Sequence, residues 1–186
     1  YQFLAAIFEQ KKDYEGVVEV FKAAASAMPE DEKILFSLAV AHDKAGKQDE
    51  ALETMKRVTV LNPKNAAALN YVGYVYVERG ENLDEAETLL QDAASIRPDD
   101  GYIIDSLGWL YFKKGDLTKA YELLKQAAKL ATKEAAVFEH LGDLHKLRGY
   151  PAQALTAYKK ALKLARQKSD DEMVLRLTDK IHEVGG

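Results

Sequence analysis

A period of 34 residues runs through the chain and constrains its fold more than any other feature. Leu107-Gly108 recurs as Leu141-Gly142, 34 residues later. The other members of the series are Leu38-Ala39 and Val72-Gly73, a second set of glycines (Gly46, Gly80, Gly115, Gly149), and the alanines Ala51, Ala86, Ala120 and Ala154. A repeat of this length indicates stacked supersecondary units that together bury one continuous core.

The spacing within each unit predicts two antiparallel helices of about a dozen residues each. Small residues lie where the paired helices touch, so that the two backbones can approach closely. The second glycine of each unit suits a left-handed helix end, where a Cβ would be strained. Pro29, Pro63 and Pro98 close three units, and Pro151 lies in a first helical turn, where proline is tolerated.

One unit carries the family resemblance most clearly. Ile104, Leu107-Gly108, Tyr111, Ala120, Leu124 and Ala127 resemble the tetratricopeptide motif, with Ile104 in place of its usual Trp and Leu124 in place of its Phe. The resemblance implies an all-α, right-handed superhelical solenoid of antiparallel helix pairs. We expect a single domain over residues 1–186, with units at 1–31, 32–65, 66–100, 101–134 and 135–168. The first unit departs most from the motif, with Lys12 and Val17 where Gly and Ala are expected.

The remaining residues predict a C-terminal capping helix over 169–184. Ser169 and Glu172 have the spacing of a capping box, with Ser169 as the N-cap. Met173, Leu177 and Ile181 then form one apolar stripe on a charged helix, as a solenoid end requires. At the other end, Tyr1 falls inside a predicted helix, and we expect the natural protein to continue upstream.

Composition argues against several classes of function. The net charge is −4 with both signs interspersed, whereas a nucleic-acid-binding protein would show a basic stripe. The chain has no cysteine, which excludes disulfides and thiolate chemistry. No stretch approaches the roughly 20 apolar residues that span a bilayer, so we expect no direct membrane insertion.

The polar residues do not predict an enzyme, a cofactor or a metal site. His42 and His145 occupy a core position of their units, and His140 lies five residues before His145, off the spacing of a helical metal pair. Glu139 and Asp143 share a face beside His140, but a third strong ligand is missing. Phosphate-binding glycine loops and Ser/His/Asp spacings are also missing from the sequence.

The candidate site lies on the first helix of each unit. Positions 2, 5, 6, 9, 12 and 13 of that helix lie opposite its core side, and the resemblance implies that they face a concave, ligand-binding groove. They provide an aromatic floor (Tyr71, Tyr74, Tyr102, Trp109, Phe112) and an acidic flank (Asp105, Glu139, Asp143). We expect Trp109 and Tyr74 to be partly accessible binding anchors. For Tyr71 and Phe112, packing against the neighbouring repeat is an equal alternative.

These residues predict a protein-protein interaction scaffold that binds an apolar or basic segment, extended or helical, of another protein. The clamp with which some tetratricopeptide domains hold a chaperone's C-terminal tail is missing, since the matching positions hold Phe36, Val40, Tyr71, Tyr102 and Ser106. Two alternatives stay open: a self-assembly or homo-oligomerisation module, and a regulatory appendage of an enzyme that lies upstream.

A weaker resemblance concerns location. The runs Asn70-Tyr71-Val72-Gly73-Tyr74 and Asp105-Ser106-Leu107-Gly108-Trp109 are similar to paired motifs in bacterial tetratricopeptide proteins, several of them envelope lipoproteins. This similarity favours the bacterial periplasm, associated with the outer membrane, over the cytoplasm.

Overall fold

The computed structural model describes residues 1–185, and within that range the chain forms eleven α-helices and no strand. The helices are α1 (Gln2–Gln10), α2 (Tyr14–Ala27), α3 (Glu32–Lys44), α4 (Gln48–Leu61), α5 (Ala66–Arg79), α6 (Leu83–Ile96), α7 (Gly101–Lys113), α8 (Leu117–Leu130), α9 (Ala135–Leu147), α10 (Pro151–Lys168) and α11 (Asp171–Gly185). Two helices fall within each of the five predicted units. The predicted all-α solenoid of antiparallel pairs is confirmed.

The turn inside each unit depends on one residue with left-handed backbone geometry. Gly115 and its three equivalents have φ between 67° and 81°, as their sequence positions predict. Lys12 holds the same place in the first unit with φ 56°, so the turn is kept there although the residue carries a Cβ. The third unit, 66–100, is one residue longer than the period, and its turn contains a second left-handed residue, Asn82, with φ 49°.

Small residues lie where paired helices cross. Ala120 and Ala154 are fully buried, as the repeat alignment predicts. Gly142 of α9 faces the buried ring of Tyr158 on α10 so closely that a Cβ would overlap that ring. Tyr111, on the core side of α7, is buried as expected. The core therefore follows the register that the 34-residue period sets.

The helices form two layers. Odd-numbered helices contact one another directly, α5 with α7 and α7 with α9, and each also packs on the even-numbered helices beside it. The odd-numbered helices thus form an inner layer, and the faces that they turn away from the even-numbered helices carry the residues of the candidate site.

The C-terminal end differs from the prediction in its capping residue. Ser169 does not begin α11; it ends α10, with φ 54°. Asp170 instead caps α11, since its Oδ1 accepts the backbone N–H of Met173 at 3.0 Å. A left-handed residue is needed to turn the chain sharply after α10, and Ser169 occupies that place. The apolar stripe is as predicted, with Leu177 fully buried against α10.

None of the helices in the described range is both long and apolar enough to cross a membrane.

Candidate functional site

Two tyrosines on the inner face of α5 lie half-buried at the surface. The Tyr71 hydroxyl donates to Oδ1 of Asp43 on α3 at 2.7 Å, so this ring bridges two units. Burial, and then the carboxylates of Glu78 and Asp105, raise the pKa of Tyr74 well above its usual value. Both tyrosines are therefore neutral apolar surfaces with a polar tip, the form in which aromatic residues serve as contact anchors.

Trp109 is not the accessible anchor that the sequence predicts, because its side chain is only 8% exposed. Its ring is stacked between Phe112, at 4.5 Å between centroids, and His140, at 4.1 Å. Its Nε1–H donates to Oε1 of Glu78 on α5 at 2.5 Å. Trp109 lies opposite the core of its own unit, as the helical-face count predicts, but His140 of the next unit packs on its ring and buries it.

Phe112 and Tyr102 lie at opposite ends of α7. Phe112 is half-buried and packs flat on Trp109 of its own helix, rather than on the neighbouring repeat that the sequence offers as an alternative. Tyr102 is 54% exposed at the start of the helix. Burial and the neighbouring Glu134 raise the pKa of Tyr102 to about 12. Tyr102 is thus the most accessible of the predicted aromatic residues and lies apart from the Trp109 stack.

Asp105 is buried and pairs with a histidine of the next unit. Its Oδ2 lies 2.8 Å from Nδ1 of His140 on α9, and both side chains are largely excluded from solvent. Burial alone would lower the pKa of His140, but the Asp105 carboxylate outweighs it and raises the pKa above the ordinary value. The two side chains therefore form a buried hydrogen-bonded pair at the joint between two repeats, and the pair is ionic when His140 is protonated.

The other two residues of the acidic flank, Glu139 and Asp143, form ion pairs with cationic side chains of α11. Glu139 accepts from Arg176 at two atoms, Oε1 from Nε at 2.8 Å and Oε2 from Nη2 at 3.0 Å, and Lys180 reaches Oε1 at 2.8 Å. Asp143 accepts from Lys180 Nζ at 2.7 Å and from the Tyr158 hydroxyl at 2.7 Å. These hydrogen bonds hold the pKa of Glu139 below its usual value even though burial opposes them. The expectation of a free acidic flank is therefore corrected.

Sequence reasoning missed the internal partners of this flank: His140, Arg176, Lys180 and Glu78. A signal for two of them exists, since Glu139 and Asp143 are spaced i, i+4, and Arg176 and Lys180 repeat that spacing 37 residues later. Complementary pairs about one repeat apart indicate contacts between first helices. Within residues 1–185, no group of three or more His, Asp or Glu residues has the geometry of a metal site.

Comparison with known proteins agrees with this architecture. Three family models described as tetratricopeptide repeat match residues 9–72, 103–134 and 137–172. This chain is a tetratricopeptide repeat (TPR) protein.

The TPR assignment is supported by individual relatives. A TPR repeat-containing protein of Pseudomonas aeruginosa is 30% identical over 60% of this chain but only 18% of its own length. Photosystem I assembly protein Ycf3 of Prochlorococcus marinus is 29% identical over 53% of this chain and 65% of its own length. The chain thus matches less than two thirds of the length of either relative.

A solved structure shows the same TPR fold over nearly the whole chain. The crystal structure of a thermophilic TPR protein from Thermus thermophilus superimposes with a TM-score of 0.76 at 25% identity, covering 96% of this chain and 95% of that one. TPR proteins bind other proteins, so membership of this family supports the prediction of a protein-protein interaction scaffold.

Proposed function

We propose that this TPR protein holds an apolar segment of a partner protein on the inner faces of α3 and α5. The observation that carries the proposal is a row of half-buried apolar side chains on these two helices: Phe36, Val40, Tyr71 and Tyr74. Aromatic residues of this kind offer a large contact area at a low cost in conformational entropy. The Prochlorococcus relative is named for assembling photosystem I, which supports a scaffold role.

An apolar partner segment fits this surface better than the basic one that the sequence also allowed. Glu139 and Asp143 are paired with Arg176 and Lys180, and Asp105 is hydrogen-bonded to His140 of the same chain. A basic partner would have to displace Arg176 or Lys180 from a partly buried site, and such replacement gives little net gain. Partner recognition therefore rests on Tyr74 and its apolar neighbours.

Tyr74→Ala should weaken partner binding at least tenfold, because truncating a central aromatic anchor costs about 2 kcal/mol or more. A photoreactive phenylalanine analogue placed at position 74 would first capture the partner from extracts of the source cells. The same analogue at Lys159, which is exposed on α10, is the matched control. The affinity of the purified partner is then measured by calorimetry for wild type and Tyr74→Ala.

Two outcomes would contradict this assignment. One is equal capture of the same protein from positions 74 and 159. The other is an unchanged affinity of the captured partner for Tyr74→Ala that folds like the wild type.

A specific observation also favours self-assembly as a second candidate function. One face of α1 exposes Phe3, at 82%, together with Leu4 and Ile7. Contiguous exposed apolar residues on a helix mark contact surfaces. If this face joins two copies, sedimentation should show a concentration-dependent dimer, and Phe3→Glu with Ile7→Glu should yield a monomer. A wild-type chain that stays monomeric at high concentration excludes this candidate.

We further propose the bacterial periplasm as the compartment, on the strength of the paired motifs that begin at Asn70 and Asp105. Fractionation of the source cells followed by immunodetection tests this location.

A further inference from the structure

A buried polar stack joins the fourth and fifth units of the solenoid. Trp109 of α7 lies parallel to the His140 ring of α9, with an angle of 11° between the planes. The same His140 ring is 2.8 Å from the Asp105 carboxylate through Nδ1. His140 is 7% exposed and Asp105 is 6% exposed. The contact between two successive inner helices therefore centres on one titratable ring.

The proposed function does not use this ring. We propose that Asp105, His140 and Trp109 form a proton-dependent latch between α7 and α9. With His140 protonated, its charge is held by the Asp105 carboxylate on one side and by the π-face of Trp109 on the other. With His140 neutral, Nδ1–H can still donate to Asp105, but the Coulombic attraction and the cation–π attraction are both lost. The buried carboxylate of Asp105 then has no counter-ion, which is costly in an apolar site.

The other charged groups around the stack leave Asp105 as the counter-ion of His140. These groups are Glu139 and Asp143 on α9, Arg176 and Lys180 on α11, Glu78 and the Tyr74 hydroxyl on α5, Lys113 on α7, and the Tyr158 hydroxyl on α10. Glu139 is neutralised by Arg176 and Lys180, and Asp143 by Lys180. Glu78 is occupied by the indole N–H of Trp109.

The sign of the pH dependence follows from the folded-state pKa of His140. Burial lowers the pKa of His140, but the Asp105 carboxylate raises it by a larger amount. The folded-state pKa is therefore above the unfolded value of 6.5. The stabilisation is then fully present below pH 6.5 and is lost as the pH rises through the folded pKa. In this interval the unfolding equilibrium constant should rise by up to about tenfold per pH unit. His42 and His145 have lowered pKa values, so the pH dependence that they add to the stability lies below pH 6.5.

Trp109 is the only tryptophan of the chain and therefore reports on the latch directly. An imidazolium in contact with an indole quenches its fluorescence more than a neutral imidazole does. Emission should therefore increase in a one-proton transition with a midpoint above 6.5 when the protein is titrated from about pH 5 to about pH 10. The protection factors of the α9 backbone amides, which are corrected for the intrinsic exchange rate at each pH, should fall over the same transition because α9 is released from α7.

Three variants separate the latch from ordinary packing. Asp105→Asn should move the midpoint below 6.5, since burial then acts without the carboxylate. His140→Gln should abolish the transition. His145→Gln removes a histidine whose ring contacts Tyr121 and Tyr150 rather than Trp109, and it should leave the transition in place.

A flat wild-type titration overturns the proposal, as does a transition that survives His140→Gln or one whose midpoint Asp105→Asn does not move. If His140→Gln fails to fold, the latch is still tested by the transition midpoints of the wild type, Asp105→Asn and His145→Gln. None of these readouts involves a partner protein, so they stand apart from the test at Tyr74.

Discussion

Replacing Trp109 with Ala should destabilise the protein by about 3–5 kcal/mol, the usual cost of truncating a buried tryptophan. The indole fills the space between Phe112 and His140 and satisfies the Glu78 carboxylate. Its removal leaves a cavity at the joint of two units. Chemical denaturation followed by circular dichroism measures the loss directly.

Trp109→Phe is the matched control for that variant. It keeps an aromatic ring between Phe112 and His140 and removes only the indole N–H and part of the area, so most of the stability should be retained. Wild-type stability of Trp109→Ala, combined with a loss of partner affinity, would instead show that Trp109 is an accessible anchor.

Deleting residues 169–186 should cost at least about 3 kcal/mol and promote association. The deletion removes Leu177 from the apolar side of α10 and takes Arg176 and Lys180 away from Glu139 and Asp143. Both carboxylates then lose the cations that neutralise them, and the apolar side of α10 is exposed to water. Denaturation midpoints and sedimentation of the truncated chain provide the measurement.

The double variant Arg176→Gln with Lys180→Gln isolates the charge effect. It retains α11 and the apolar contact of Leu177, so it should lose stability without associating. A truncated chain that remains monomeric with an unchanged denaturation midpoint would show that α11 does not cap the solenoid.

The sequence was sufficient for the helical layout because each unit repeats the same local signals. The register of Leu107-Gly108 and Gly115 predicts where paired helices cross and where they turn, and these features depend on residues within one unit. Even Lys12 adopts the left-handed turn that the pattern assigns to glycine. Ser169 was misassigned because a serine followed by acidic residues suits either the end of one helix or the start of the next.

The candidate site was less predictable because its environment comes from neighbouring units. A helical-face count locates Trp109 relative to its own helix, but His140, which covers it, lies 31 residues further along the chain. Likewise, Arg176 and Lys180 look like the solvated side of an end helix until that helix is placed beside α9. Burial by an adjacent repeat is therefore not visible in single-helix periodicity.

The separation of interacting residues along the chain has a consequence for how the molecule is made. The long-range side-chain hydrogen bonds at the inner joints, such as Trp109 to Glu78, His140 to Asp105 and Arg176 to Glu139, span only 31, 35 and 37 residues. Closing such short loops costs little entropy, and chains dominated by local contacts fold quickly. On the ribosome, each repeat can dock on the one before it as soon as it emerges, so native structure can grow in the direction of synthesis.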